Sequence, residues 1–210
     1  MNSMNMLLRR TLPSFLLAAL LGACASAPPE HFYTLETDSP ASVQAKTSAR
    51  FSMTIQRVTV PESVDRPQLV LQVGGNQVRL DEQHRWAESL RQAIPHVVAS
   101  DLRHHFPNAK IAVAADSSSE PMPAYFLTMD VLRFDSNPGD GVRLEVHWQL
   151  RKPTTASATA SPSTQRDSIS EIREAAGGPG YEALVAAHRR ALARLANDIA
   201  NSVTVATSRP

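Results

Sequence analysis

The chain has 210 residues, with 21 Lys and Arg, 20 Asp and Glu, and a formal net charge of +1 at pH 7. A balance this even predicts no basic surface for nucleic acid and no polybasic patch for an anionic membrane. The chain contains a single cysteine, which excludes an internal disulfide and a cysteine-based metal site and leaves the core to hold by packing.

The first 24 residues are typical of a lipoprotein signal peptide. Two arginines precede an apolar run that is far shorter than the roughly 20 residues of a membrane-spanning helix. The run ends in a lipobox, where small residues let a peptidase reach the backbone ahead of a cysteine. The lipobox residues are Leu21, Gly22, Ala23 and Cys24. We expect residues 1–23 to be removed and Cys24 to carry an N-acyl group and an S-diacylglycerol.

Two alternatives for this segment stay open. A permanent transmembrane anchor is disfavoured by the short apolar run. A plain secretory signal, cleaved near residues 25–27, leaves the position of the only cysteine unexplained. Ala25, where lipoproteins kept at the inner membrane carry Asp, favours the outer membrane. The mature chain of 187 residues suits one domain of ordinary size.

The first part of the mature chain predicts a tether and two strands. Residues 24–30 contain two adjacent prolines and form a short, stiff tether. Residues 31–35 are β-prone, whereas residues 38–49 have no apolar period and predict a loop. Apolar and polar residues alternate from 51 to 60, which predicts a strand that a proline ends.

A rigid, proline-bounded turn over residues 61–67 leads into a strand over residues 69–73. The sequence Gly74-Gly75-Asn76 then predicts a hairpin to a return strand that contains Val78 and Leu80.

A helix is predicted to follow, capped by Asp81, kinked at Pro95 and ended by Pro107. Its apolar residues recur at intervals of three and four, as on the buried face of an amphipathic helix. They are Trp86, Leu90, Ile94, Val97, Val98, Leu102 and Phe106.

The second half of the chain contains the strongest hairpin pattern. Residues 111–113 predict a short strand, and residues 116–123 a connection. Alternating residues over 125–131 and 142–150 flank an Asn-Pro-Gly-Asp-Gly turn at 137–141.

The Ser/Thr/Ala tract at 153–164 predicts a flexible hairpin tip, and residues 165–174 a polar edge strand. Glycines and a proline at 177–180 break the chain before a last amphipathic helix. Its apolar stripe contains Tyr181, Leu184, Val185, His188, Leu192, Leu195 and Ile199.

These elements predict an α+β fold, an α/β sandwich. A mixed, largely antiparallel sheet of seven or eight strands should carry two long amphipathic helices packed on one face. We expect a single periplasmic domain over residues 31–203 and a disordered tail over 204–210.

Motifs for chemistry are sparse. Asp101 and His104 share a helical face, but no third metal ligand accompanies them, so a solvated helix end is the favoured interpretation over a metal or hydrolase site. His188 lies in an apolar stripe and predicts a core histidine, and His147 predicts an exposed one. Nucleophile-elbow and nucleotide-binding motifs are absent. The sequence therefore predicts no catalytic residue, no metal and no cofactor besides the lipid on Cys24.

Asp65 and Arg66, between two prolines, allow two interpretations. A turn with a local ion pair is favoured over a docking contact at the end of the sheet.

Several stretches together resemble the auxiliary lipoproteins of ABC-type transport systems, of the paraquat-inducible PqiC/YmbA type. They follow Cys24 in the family's order and spacing. They are Phe32-Tyr33-Thr34-Leu35, Val58-Thr59-Val60-Pro61, Asp65-Arg66-Pro67-Gln68-Leu69-Val70, Arg85-Trp86-Ala87-Glu88-Ser89-Leu90, and the last helix from Leu184 to Ala200.

The resemblance implies a non-enzymatic lipoprotein on the periplasmic face of the outer membrane. It also implies an MCE-domain membrane protein (PqiB-like) as partner in lipid transport, and a homo-oligomeric ring. It implies fold or interface roles for Tyr33, Pro61, Asp65, Arg66, Pro67 and Trp86. The residue 153–164 tract departs from the family pattern. Two alternatives to an accessory role stay open: a periplasmic hydrolase of cell-wall or lipid substrates that uses a His/Asp site, and a stand-alone lipid-binding carrier, which needs a cavity between sheet and helices.

Overall fold

A computed structural model describes residues 28–35, 50–114, 125–152 and 165–207. Cys24 and the predicted segments at 38–49, 116–123 and 153–164 lie outside these residues. No helix in the described part is long and apolar enough to cross a membrane. The strands are β1 (His31–Tyr33), β2 (Ser52–Thr59), β3 (Gln68–Gly74), β4 (Gln77–Trp86), β5 (Lys110–Val113), β6 (Tyr125–Asn137), β7 (Gly141–Arg151) and β8 (Gln165–Ala175), and the helices are α1 (Leu90–His105) and α2 (Tyr181–Thr207).

All eight described strands belong to one mixed sheet. The antiparallel ladders β6–β7 and β7–β8 are the longest, with eleven residue pairs each. Antiparallel pairing also joins β3 to β4, whereas β1–β4, β2–β5, β2–β6 and β3–β6 are parallel. The predicted α+β class is confirmed, with more parallel strand pairs than the hairpin signals alone indicated.

The two helices cover one face of this sheet. Helix α1 contacts β2 and β5, helix α2 contacts β7 and β8, and the helices contact each other. The alternation of β7 explains the layering, because every second residue is buried under α2. These residues are Val142, Leu144, Val146, Trp148 and Leu150. The opposite face of the sheet carries the polar residues of the same strands.

The prediction that Asp81 caps the first helix is wrong. Strand β4 continues to Trp86, and Ser89 is the N-cap, its Oγ accepting a hydrogen bond from the Gln92 N–H at 3.3 Å. Strand β4 is mostly exposed and lacks an alternating pattern, so the sequence does not show that it continues to Trp86, which also fits the spacing of the helical stripe. Helix α1 includes Pro95 and ends at His105, before the predicted stop at Pro107.

Helix α2 extends to Thr207 and so passes the boundary at 203 that the sequence predicted. The sequence has no glycine or proline between Tyr181 and Thr207 to stop the helix, and the Thr204 hydroxyl donates to the Ala200 carbonyl at 2.9 Å. Residues 208–210 lie outside the described part.

Candidate functional site

The turn between β2 and β3 is closed by its own backbone. The N–H groups of Val64 and Asp65 both donate to the Pro61 carbonyl at 3.0 Å, and the Arg66 N–H donates to the Val64 carbonyl at 2.9 Å. The Arg66 guanidinium reaches back to the Glu62 carbonyl at 3.5 Å. The turn is therefore closed by hydrogen bonds within its own residues.

Asp65 joins this turn to the start of α1. Its Oδ1 accepts a hydrogen bond from the Arg91 N–H at 3.3 Å, and its Oδ2 lies 3.1 Å from Arg91 Nη2. A carboxylate suits this position because the first N–H groups of a helix carry partial positive charge. The ion pair that was expected between Asp65 and Arg66 is thus replaced by one to Arg91.

Tyr33, Pro67 and Trp86 lie beside the same turn. We call these three residues, together with Asp65 and Arg91, the junction. The Pro67 carbonyl accepts the Trp86 N–H at 2.7 Å, and the Tyr33 carbonyl accepts the Ala87 N–H at 2.8 Å. Tyr33 and Trp86 are direct partners in the parallel β1–β4 ladder, and the Trp86 side chain is buried. These contacts of the predicted positions lie within the protein, where they join three strands to α1.

A second cluster links β4 to the start of α2. Asp81 Oδ1 lies 2.8 Å from His84 Nδ1, and the Tyr181 hydroxyl donates to Asp81 Oδ2 at 2.5 Å. The His84 ring stacks on Tyr181 with centroids 3.6 Å apart, and His31 and Tyr33 stack next to them.

Charge and burial in this cluster favour an ionised Asp81 beside a neutral Tyr181. Burial alone would raise the pKa of Asp81, but hydrogen bonds from Tyr181 and His84 outweigh it and hold that pKa below its usual value. Burial and then the Asp81 hydrogen bond raise the pKa of Tyr181. Both Asp81 oxygens are occupied by these contacts, which fits a structural latch between β4 and α2.

The predicted histidines are not brought together. His188 is fully buried, stacks on Phe134 at 3.9 Å and lies 2.8 Å from the Ser136 hydroxyl through Nε2. Burial lowers its pKa to about 3. His147 lies on the polar face beside Asp167. His188 is therefore a core residue, as its place in the stripe predicted.

Asp101 and His104 do not form a joint site either. Asp101 makes a two-pronged ion pair with Arg189 of α2, and His104 Nδ1 bonds the Ser100 carbonyl of its own helix at 2.8 Å. Across the described residues, no group of three or more His, Cys, Asp or Glu side chains is arranged to hold a metal ion.

The polar face of the sheet contains a groove. It forms because β6 pairs with β2 along its first half and with β3 only near its end. The turn over 61–67 lies beside the hollow of about 670 Å³ left between them, and a second hollow of about 490 Å³ continues from it. The two share Gln72, Arg133, Asp135 and Arg143. We call this continuous surface the charged groove.

Exposed ion pairs line the charged groove. Arg133 Nε lies 3.2 Å from Glu145, and Arg143 Nη2 lies 3.6 Å from Glu171. Like charges nevertheless face each other directly across β7 and β8, with Arg143 opposite Arg173 and Glu145 opposite Glu171. Such pairs destabilise a sheet, and the exposed salt bridges around them are worth little. This arrangement suits a partner whose charged side chains form ion pairs with these residues.

The family is decided by the comparison of the sequence with known families. The model of the ABC-type transport auxiliary lipoprotein component matches residues 33–200. The chain belongs to this family. The matched region contains both the junction and the charged groove of this auxiliary lipoprotein.

Solved structures share the fold of the auxiliary lipoprotein. One, described only as an uncharacterized protein, is 17% identical with a TM-score of 0.61, covering 84% of this chain and 99% of its own. A Xanthomonas campestris protein of the DUF330 family is 12% identical with a TM-score of 0.59, covering 83% of this chain and 95% of its own. No curated protein matches the sequence.

The sequence predicts most residues of the junction but not the latch between Asp81 and Tyr181 or the charged groove. The motif positions Tyr33, Asp65 and Trp86 were visible because they match the family's spacing. Asp81 and Tyr181 are 100 residues apart, and nothing local marks them as partners. The charged groove likewise depends on the order of the strands in the sheet, which no local sequence pattern indicates.

Proposed function

We propose that this auxiliary lipoprotein is anchored by Cys24 to the periplasmic face of the outer membrane. There it would serve an MCE/ABC-type lipid transport system as a non-catalytic accessory component, docking to an MCE-domain partner (PqiB-like). Support comes from the family match over residues 33–200 and from the lipobox.

The charged groove is the proposed docking surface. The observation that carries this assignment is the direct opposition of Arg143 to Arg173 and of Glu145 to Glu171, since like charges opposite each other destabilise a sheet. A partner that presents alternating charges would compensate both pairs. The groove also lies on the face that the helices leave open.

The competing functions find less support. For a hydrolase at His104 and His105, the neighbouring Asp101 is already engaged by Arg189. For a stand-alone lipid carrier, the two described hollows are lined mainly by charged and polar side chains, which suit a lipid tail poorly. Substituting His104 and His105 by Ala should leave function intact under the docking proposal and abolish it under the hydrolase proposal.

The anchor is tested by membrane fractionation. Wild-type protein should incorporate labelled palmitate and sediment with the outer membrane, whereas Cys24→Ser should do neither, since a single thiol accepts the diacylglycerol. Equal distribution of the two proteins would contradict the anchor.

The partner is tested by purifying the acylated protein from membranes in a gentle detergent. We expect the MCE-domain protein of the same organism to co-purify. Its repeated absence would remove the docking proposal. We also propose the homo-oligomeric ring that the family resemblance implies. Light scattering of the protein purified without its partner should then give a mass several times that of one chain.

A further inference from the structure

Strand β1 presents an exposed aromatic ring at the edge of the sheet. Phe32 is 59% exposed, while its neighbours His31 and Tyr33 turn toward the helix-covered side and stack with His84. Phe32 therefore points to the open side. Strand β1 pairs only with β4 among the described strands, so none of them covers its outer edge.

Two further apolar side chains lie on this side of the adjoining strand. Val78 and Leu80 of β4 are 50% and 38% exposed. Val78 pairs with Gln72, which lines the charged groove on the open face, and Leu80 pairs with Val70, two residues along β3 on the same side. Val70 itself is buried. We name Phe32, Val78 and Leu80 the apolar edge.

The length of the tether limits where this edge can be. Cys24 and Phe32 are eight residues apart, so fully extended chain spans at most about 29 Å between them. Pro28, where the described chain begins, lies within about 14 Å of Cys24 by the same limit. A lipid on Cys24 therefore leaves β1 within reach of the bilayer.

We propose that the apolar edge is the membrane-contacting surface of the protein and that Phe32 enters the headgroup region of the bilayer. The proposal rests on acylation of Cys24, the anchor of the proposed function. The lipid attaches the protein to the membrane. The Phe32 ring orients the protein there at a small cost in free energy, because outside the membrane the exposed ring would be in contact with water. Strand β1 then faces the membrane.

This orientation also places the docking surface. The sheet order runs from β1 through β4, β3, β6 and β7 to β8. Five strand spacings separate β1 from β8, or roughly 24 Å. The Arg143 and Arg173 end of the charged groove, on β7 and β8, then lies four to five strands from β1, whereas its Gln72 end adjoins Val78 of the apolar edge.

The test uses the single native cysteine. Acylation consumes the Cys24 thiol, so in Phe32→Cys the new residue carries the only free thiol. Ile169→Cys is the matched control, because Ile169 is also 59% exposed but lies on β8. Each acylated variant is labelled with a fluorophore and placed in vesicles of phosphatidylethanolamine and phosphatidylglycerol that contain lipids with a quencher near the headgroup.

We expect quenching at position 32 to be at least about twofold greater than at position 169, since an interfacial residue lies roughly 5–10 Å into the headgroup region. Equal quenching at the two positions overturns the proposal. The proposal is also overturned if the label at position 32 is not quenched by lipid and is instead shielded from water by a second copy or by a partner.

A label-free variant gives an independent readout. Phe32→Trp should show a blue-shifted emission component on the same vesicles that Ile169→Trp does not show, and the absence of that difference overturns the proposal. If the acylated protein fails to sediment with the vesicles, the anchor and the proposed function fall together. If it sediments with position 32 unquenched, only the orientation falls.

Discussion

Histidine illustrates how position decides the role of a residue. His188 was predicted to belong to the core from its place in an apolar stripe, and the structure gives it one polar partner, the Ser136 hydroxyl. Its depressed pKa makes it a source of acid sensitivity. The sequence could predict its burial but not its partner, because Ser136 lies 52 residues away.

The stability of the protein should fall below pH 6.5 through His188. Its folded pKa, about 3, lies below the unfolded value of about 6.5. The stabilising neutral form is thus complete above pH 6.5 and is lost as the pH falls toward 3. We expect a loss on the order of 3 kcal/mol between pH 6.5 and 4.

Urea unfolding across this range measures the effect. The double variant Ser136→Ala/His188→Phe removes the titrating group with its partner and should lose most of that pH dependence. The control His104→Ala, at an exposed position, should keep it. A slope in the double variant equal to that of the wild type would contradict the assignment.

Asp65→Ala should destabilise the protein by about 1–2 kcal/mol, because the start of α1 loses a charged acceptor. The matched control is Glu88→Gln, one residue before the Ser89 cap and exposed, which should change the free energy of unfolding by less than about 0.5 kcal/mol. Chemical denaturation of the three proteins measures both. Similar effects of the two variants would mean that the loss of a negative charge, and not the loss of the contact to Arg91, causes the destabilisation.

Elements with local signals were predicted well. The β6–β7 hairpin follows from strict alternation and its turn, and α2 from an unbroken apolar stripe. Strand β4 was truncated because its residues are exposed, and β1 pairs with it across more than 50 residues. The parallel pairs of β6 with β2 and β3 depend on the position of α1, which alternation does not reveal.

The β6–β7 turn provides a test at this scale. A Cβ at Gly141 would lie 2.0 Å from the Glu174 carbonyl oxygen, in a backbone with φ of +150°. Gly141→Ala should cost about 3 kcal/mol or more. Gly139, at φ +83° with open space around it, isolates backbone strain, and Gly139→Ala should cost about 1–2 kcal/mol. Thermal unfolding compares them, and equal costs would contradict the close packing of β8 on the turn.

At the scale of the whole molecule, the helices cover one face of the sheet and leave the polar face open. The junction at α1 and the Asp81 latch use most of the conspicuous motif residues internally. The charged groove could not be predicted, since Arg133, Arg143 and Glu171 come from three strands whose order the sequence does not state. We propose that docking takes place through this polar face.

The most direct measurement is the affinity of the purified auxiliary lipoprotein for the periplasmic part of the proposed MCE-domain partner. Glu171→Arg changes a 62% exposed groove residue and should weaken binding about tenfold, since a like-charge contact costs roughly 1.4 kcal/mol or more. Glu88→Arg, exposed outside the groove, should change binding by less than about twofold. No binding by the wild type, or equal loss in both variants, would contradict docking through the charged groove.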